Sequence, residues 1–430
     1  MREIRNEQLQ ISAYHDQLPN GLDVFVIKKD GYKQTYAMFS TDYGSIDREF
    51  VVPGEKDATV VPDGIAHFLE HKMFEQENGE DVFKSFARYG ASANAFTSFD
   101  MTTYLFSSTA HVPENLNILL DYVQDPYFTE ENVEKEKGII GQEIRMYDDD
   151  AGWQVFFNLL KGLYINHPLN IDIAGTVESI AEITKDTLYK CYNTFYHPSN
   201  MSVVITGDLD PEEICNIVRE NQAKKGYERQ PDIQRDLPNE PDHIASPRTE
   251  VQMAVSIPKL QFGYKDVKSV GLTGRELLVN EYATAVGLEA LIGKSSPLFN
   301  TLYEQALVDK SFGWSYEVGV SFAYSAFGGN TKDPDRVLEI TEEAFAKAVQ
   351  DGLPEEDFKR ARAKMIGQAL GEIDNPRALC RSFTSYHFKG ANYFDVVSVL
   401  ESLTHEQVNE RLRAHLVPEL RSISIISPKK

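Results

Sequence analysis

The residues best placed to do chemistry are His67, Glu70 and His71, inside the pentad His67-Phe68-Leu69-Glu70-His71. On a helix, at about 100° per residue, His67, Glu70, His71 and Phe74 share one arc, while Ile65, Leu69 and Met73 face the other side, which can bury. Two imidazoles at i and i+4 can grip one metal ion, and a carboxylate between them can reach a water held by that ion. The chain has ten histidines, and random placement would produce this pattern roughly 0.02 times. The competing reading is two histidines serving an ordinary amphipathic helix, and the pentad by itself leaves that open.

A catalytic zinc site often adds a carboxylate to two histidines and leaves the fourth position to water. Such a carboxylate is available in the run from Glu134 to Met146. This run follows Pro126 and Thr129, whose hydroxyl can cap a helix starting near Glu130. Glu136 and Glu143 lie two turns apart on one face with Ile140 and Tyr147. That spacing ordinarily makes a solvated acidic face. The apolar neighbours on the same arc point to partial enclosure, where a carboxylate needs a cation or donors.

With both motifs in view, the chain resembles the pitrilysin family of HxxEH zinc peptidases, which includes insulin-degrading enzyme and mitochondrial processing peptidase. It looks closest to a bacterial subgroup of half-length, processing-protease-like chains. The resemblance covers nearly all of the sequence. It also rests on Gly44-Ser45, Asn94-Ala95-Phe96-Thr97-Ser98, Gly175-Thr176-Val177-Glu178-Ser179-Ile180 and Tyr196-His197-Pro198-Ser199-Asn200-Met201. The resemblance implies His67, His71 and Glu143 as Zn2+ ligands and Glu70 as general base. Glu136 would orient a ligand histidine. The His71-to-Glu143 gap is slightly shorter than usual, which reads as a trimmed loop. Asn94, Ala95 and Phe96 are carried over as a strand that receives an extended substrate; an ordinary edge strand is the alternative.

One departure bears on activity. Family halves that complete the active site carry an Arg and a Tyr seven residues apart, stabilising the oxyanion. Here Tyr303 occupies the place of the Arg, and the segment before Tyr316 is longer. Tyr316 is carried over as a substrate-side residue, with ordinary packing the alternative for both tyrosines. A neutral phenol is a poorer substitute for a guanidinium. The expected partner is therefore a second half-length family subunit that supplies an Arg–Tyr pair, making a heterodimer around a peptide-holding chamber. The second reading, from another class, is a non-catalytic structural or binding subunit. A metal hydrolase of non-peptide substrates has no support beyond the metal motif.

The elements that must position these groups alternate. Strands are expected at Leu22–Ile27, Thr35–Ser40, Ser92–Thr97 and Thr102–Ser107, with residues 98–101 as a hairpin connection. Helices are expected at Gly64–Glu75, Val82–Tyr89, Pro113–Val123, Glu130–Asp148 and Thr184–Phe195. Strands mixed with long helices mean α+β, with helices packed on one face of each sheet. A chain of 430 residues, 42% hydrophobic, suits two domains. Residues 1–223 are expected to form a zinc-binding domain. A Pro- and Gly-marked linker covers 224–247, and residues 248–430 form a second repeat without metal ligands. The repeat shows in Thr184, Leu188, Pro198 and Ser202 against Thr404, Val408, Pro418 and Ser422 at the same offsets, and in Ile140-Gly141-Gln142-Glu143 against Ile366-Gly367-Gln368-Ala369. Two such repeats would make half of a clamshell.

The net charge of −23 disfavours nucleic acid and anionic membrane as partners. It serves solubility, with an acidic chamber for basic peptides as the sharper alternative. No run approaches the ~18 apolar residues of a membrane span. Met1 to Gln8 is charged and lacks an apolar signal region. Three scattered cysteines make no disulfide framework, so a cytoplasmic location is expected.

Overall fold

In the computed structural model, which describes residues 1–429, the β-branched and aromatic runs pair into two large sheets, one in each of two compact units, beside a small three-stranded sheet of Gln234–Arg235, Glu49–Val51 and Ala58–Val60. The first unit carries seven strands in the order Arg2–Asn6, Ile11–Gln17, Asp23–Lys28, Met201–Gly207, Thr35–Thr41, Thr102–Ser108, Ser92–Thr97. Only Asp23–Lys28 and Met201–Gly207 run parallel; every other pair is antiparallel. The central strands Thr35–Thr41 and Met201–Gly207 are buried throughout, as near-continuous apolar runs in a sheet interior should be. The hairpin expected at residues 98–101 joins the last two strands, pairing Thr97 with Thr102. Helices form at Ile65–Lys72, Val82–Arg88, Val112–Val123, Glu130–Asp149 and Lys185–Phe195.

The second unit repeats five of those strands. Its sheet runs Arg248–Met253, Arg421–Pro428, Lys259–Lys265, Ala323–Asn330, Gly313–Val318, again with its first pair parallel and the rest antiparallel. Helix lengths match between repeats. Ile65–Lys72 and Pro297–Glu304 have 8 residues each, and Glu130–Asp149 and Glu355–Asp374 have 20 each. Thr184 and Thr404 both close a capping box on the helix that follows, and each of those helices leads through a Pro-initiated 3-10 turn into a strand. The α+β architecture of two related domains is thus present.

The units are interleaved along the sequence instead of dividing at one linker. The first comprises Met1–Ile144, Asp172–Leu237 and Glu372–Phe388; the second takes Arg145–Ile171, Pro238–Gly371 and the chain from Lys389 onward. Packing explains the crossing. Helix Ala151–Leu163 joins the second unit, where Ala151 and Val155 cluster with Ile426. Its counterpart Pro376–Phe388 joins the first, where Phe383 meets Phe25 edge-on at 5.1 Å and Cys380 Sγ lies 3.5 Å from the Tyr36 carbonyl. The expected linker is also built in. Gln234–Arg235 pairs with the strand Glu49–Val51, and Arg235 bonds Asp47 at 2.7 Å. Glu240, in the second unit, accepts the backbone N–H groups of Ile165, Asn166 and His167.

Candidate active site

Helix Ile65–Lys72 is short, and its start is fixed by contact more than by propensity. Gly64 at its N-cap has φ +87°, and a Cβ there would stand 2.3 Å from the Ala174 carbonyl oxygen. Only glycine allows both the left-handed conformation and this approach. The loop that abuts it is the Gly175–Ile180 motif, whose Ser179 hydroxyl donates to the Asp63 carbonyl at 2.9 Å. Ile65, Leu69 and Met73 are buried, as the helical arc predicts. Burying that face turns His67, Glu70 and His71 toward helix Glu130–Asp149, which Thr129 caps by accepting from the Asn132 N–H at 3.1 Å.

There, His67 Nε2 stands 3.8 Å from Glu143 Oε1, and His71 Nε2 stands 3.6 Å from Glu143 Oε2. One donor atom from each of the three residues falls within 4.8 Å of the others, the sole such set among the described residues. The two distances are long for hydrogen bonds. Two donors each about 2.1 Å from a shared tetrahedral ion stand about 3.4 Å apart, so the spacing suits zinc. Burial, reinforced by the nearby His71, pushes His67 down to about 4, which keeps it the neutral imidazole a metal needs. His71 Nδ1 donates to Glu136 Oε1 at 3.1 Å, leaving Nε2 for the metal side. Burial alone would lower the His71 pKa and raise that of Glu136. Their mutual hydrogen bond and the surrounding opposite charges together outweigh it, so His71 is raised and Glu136 lowered.

Glu70 lies on the same helix, 8% exposed. Burial raises its pKa against the opposing pull of the Thr97 hydroxyl, which donates to Oε2 at 2.6 Å. Thr97 ends the strand Ser92–Thr97, which among the described residues is an edge strand of its sheet. Of the three residues carried over as substrate contacts, Asn94 is exposed and its Oδ1 takes the Ala95 N–H at 2.9 Å, while Ala95 and Phe96 are half-buried. The Arg381 guanidinium lies 5.4 Å from the centre of the Phe96 ring.

Tyr316 is in the second unit, where its hydroxyl is tied into a buried polar group instead of an open surface. It donates to Asp266 at 2.7 Å and lies 2.8 Å from Ser269 Oγ, and the Arg411 guanidinium binds the same Asp266 carboxylate. Burial raises its pKa well above the phenol range. Tyr303 is 44% exposed and stacks on Phe299. Counted along the matched eight-residue helices, Phe299, Leu302 and Tyr303 stand where His67, Glu70 and His71 do. The twenty-residue helix of this unit offers Gln368 or Ala369 where the first has Glu143. The second repeat therefore lacks the donor set in either register.

Sequence reading missed Thr97 and Lys72. Lys72 is fully buried beside His71; it pairs with Glu75 and donates to the Asn132 carbonyl at 3.4 Å, tying the two site helices together. Its place three residues after Leu69 and seven after Ile65 put it on the buried face and was the available signal.

Known proteins share this sequence and architecture. Residues 54–177 match the family described as Insulinase (Peptidase family M16), and residues 182–365 match the Peptidase M16 inactive domain. The chain is 47% identical over 429 residues, covering 100% of both sequences, to YmfH of Bacillus subtilis (strain 168), named an uncharacterized zinc protease. A crystal structure described as an M16-like peptidase from Alicyclobacillus acidocaldarius superposes with TM-score 0.94 at 42% identity, covering 97% of this chain and 99% of that one. The periplasmic protease PqqL from Escherichia coli shares the fold at TM-score 0.74 and 18% identity, with this chain covering 48% of it. Both repeats, the HxxEH helix and the downstream glutamates thus have one common explanation: the chain belongs to the M16 family of insulinase- and pitrilysin-like peptidases.

Proposed function

We propose that this chain is a zinc-dependent endopeptidase subunit that hydrolyses peptides or small unfolded polypeptides. The observation that carries the reading is the convergence of His67, His71 and Glu143 beside Glu70, with Glu70 bonded to the end of an open-edged strand. His67, His71 and Glu143 would hold the ion, and Glu136 would keep His71 in the ligating tautomer. Bound zinc lowers the pKa of water toward neutrality and polarises a carbonyl oxygen. Glu70 takes the proton of the attacking water and passes it to the departing amine. Ser92–Thr97, including Asn94, Ala95 and Phe96, aligns the peptide as an added strand.

The chain spans about half of the longer PqqL, and its second repeat has Tyr303 and a sequestered Tyr316. We therefore read it as the catalytic half of a heterodimer whose other half supplies an Arg–Tyr pair in an enclosed chamber. Its three cysteines are free and buried, which suits a cytoplasmic setting. Among the described residues no helix is long and apolar enough to cross a membrane. The second reading, a non-catalytic subunit, draws on the match of residues 182–365 to an inactive domain. The test is metal analysis followed by peptide cleavage, with the chain alone and with a related half-length chain from the same genome. Near-stoichiometric zinc and a rate raised about 10²–10³-fold by the second chain support the heterodimer. Full-rate cleavage by the isolated chain removes the partner, and stoichiometric zinc without cleavage in any pairing favours the non-catalytic reading.

A further inference from the structure

We propose that Thr97 is a positioning residue that fixes Glu70 to the substrate-receiving strand, so that the base and the bound peptide are located by the same backbone. The proposal rests on the reading of Glu70 as general base. Thr97 Oγ1 donates to Glu70 Oε2 at 2.6 Å across 27 residues of sequence, a length typical of a charge-assisted O–H···O⁻ bond. The direction of that bond is fixed by its neighbours. Thr102 Oγ1 sends its hydrogen to the Tyr43 carbonyl at 2.9 Å and lies 3.4 Å from Thr97 Oγ1. The Thr97 hydrogen is therefore left for the shorter bond to a carboxylate.

The hydroxyl is also held rigidly from the strand side. Thr97 is the last rung of the hairpin, opposite Thr102, and a β-branched side chain is stiff at χ1. The turn beyond it closes with Ser98 N–H to the Met101 carbonyl at 2.8 Å. Ser45 N–H and Ile46 N–H hold the Ser98 and Phe99 carbonyls at 3.1 and 3.0 Å. The Gly44-Ser45 motif thus anchors the turn. Glu70, by contrast, hangs from a helix on three rotatable bonds. Without a donor it would have to order its carboxylate alone, at the cost of its rotamer freedom.

A peptide that adds to the open edge of Ser92–Thr97 sets the height of its scissile carbonyl relative to that strand. The Thr97 hydroxyl sets the height of Glu70 relative to the same strand. Register between base and substrate then needs no further adjustment, and small misplacements of a reacting group are costly.

The test compares Thr97→Val, which keeps the shape and loses the hydroxyl, with Thr97→Ser, which keeps the hydroxyl. The zinc-loaded full chain is used, with its partner chain where cleavage requires one, and Glu70→Gln is the control. In Thr97→Val, kcat is expected to fall about 10–100-fold with KM within about twofold, and zinc content is unchanged. Thr97→Ser recovers most of the rate. Crystal structures give a readout independent of turnover: Glu70 keeps its rotamer in the wild type and Thr97→Ser and leaves it in Thr97→Val. Wild-type kcat in Thr97→Val, an equal loss in Thr97→Ser, or an unmoved Glu70 overturns the proposal. If Glu70→Gln itself cleaves at the wild-type rate, the general-base reading fails first, whatever the Thr97 variants do.

Discussion

Glu136 accepts the Nδ1 hydrogen of His71 at 3.1 Å while Glu143, two turns further along the same helix, faces Nε2 of that imidazole at 3.6 Å. One helix therefore addresses both nitrogens of one ring, Glu136 through a hydrogen bond and Glu143 from the side on which the proposed zinc would be held.

From this arrangement, Glu136→Gln is expected to weaken zinc affinity about 10–100-fold without abolishing binding, whereas His71→Ala loses stoichiometric zinc. Chelator competition measures both. Full zinc retention by His71→Ala would remove that residue from the site.

Gly64→Ala should lower stability by about 1–3 kcal/mol, the usual cost of forcing a side chain into a strained backbone region. The motive is its φ of +87° and the 2.3 Å approach to the Ala174 carbonyl. Denaturant titration reads the stability, and weaker zinc retention should accompany it because the same helix carries both histidines. An unchanged midpoint would show that the loop gives way.

In the second unit, Arg411→Met leaves the Asp266 carboxylate buried without its cation. Arg411 is 7% exposed and Asp266 2%. Breaking a buried pair from one side typically costs about 3–5 kcal/mol. The double variant Asp266→Asn with Arg411→Met should recover part of the loss, and urea unfolding of the three proteins tests the coupling. A single variant as stable as the wild type would mean the pair contributes nothing.

Asp23 offers a pH signature. Burial alone would raise its pKa, but His15 at 2.7 Å and His387 at 3.4 Å hold it well below the ordinary carboxylate value. A depressed folded value gives stability that is present above the unfolded pKa of about 3.9 and lost as pH falls through the folded one. Wild type should therefore melt higher than Asp23→Asn near neutrality, and the gap should close progressively below about pH 4. A gap that widens with acid would reverse the assigned sign.

Helical periodicity made much of the site legible: the arc of His67, Glu70 and His71 and the buried Ile65, Leu69 and Met73 follow from spacing alone. So did the Thr129 cap, because capping chemistry is local. Thr97 was visible as part of a strand but not as a partner of Glu70, since the contact spans 27 residues and depends on how a hairpin meets a helix. Tyr316 was read as a substrate-side residue, yet its surroundings are supplied by Asp266, Ser269 and Arg411 from distant segments. The interleaving of the units was invisible for a related reason. An amphipathic helix such as Ala151–Leu163 declares that it has an apolar face, not which sheet will cover it.

That interleaving has a consequence for how the protein can be cut. Each core is closed by a helix encoded in the opposite half of the gene, so a fragment ending near residue 223 would expose the sheet face that Pro376–Phe388 covers. It would also carry Ala151–Leu163 with no sheet to rest on. A single nick in residues 224–247 should leave the two pieces associated, whereas either piece expressed alone should be prone to aggregation. The repeats can be recognised separately in the sequence, but they are obligate co-folders.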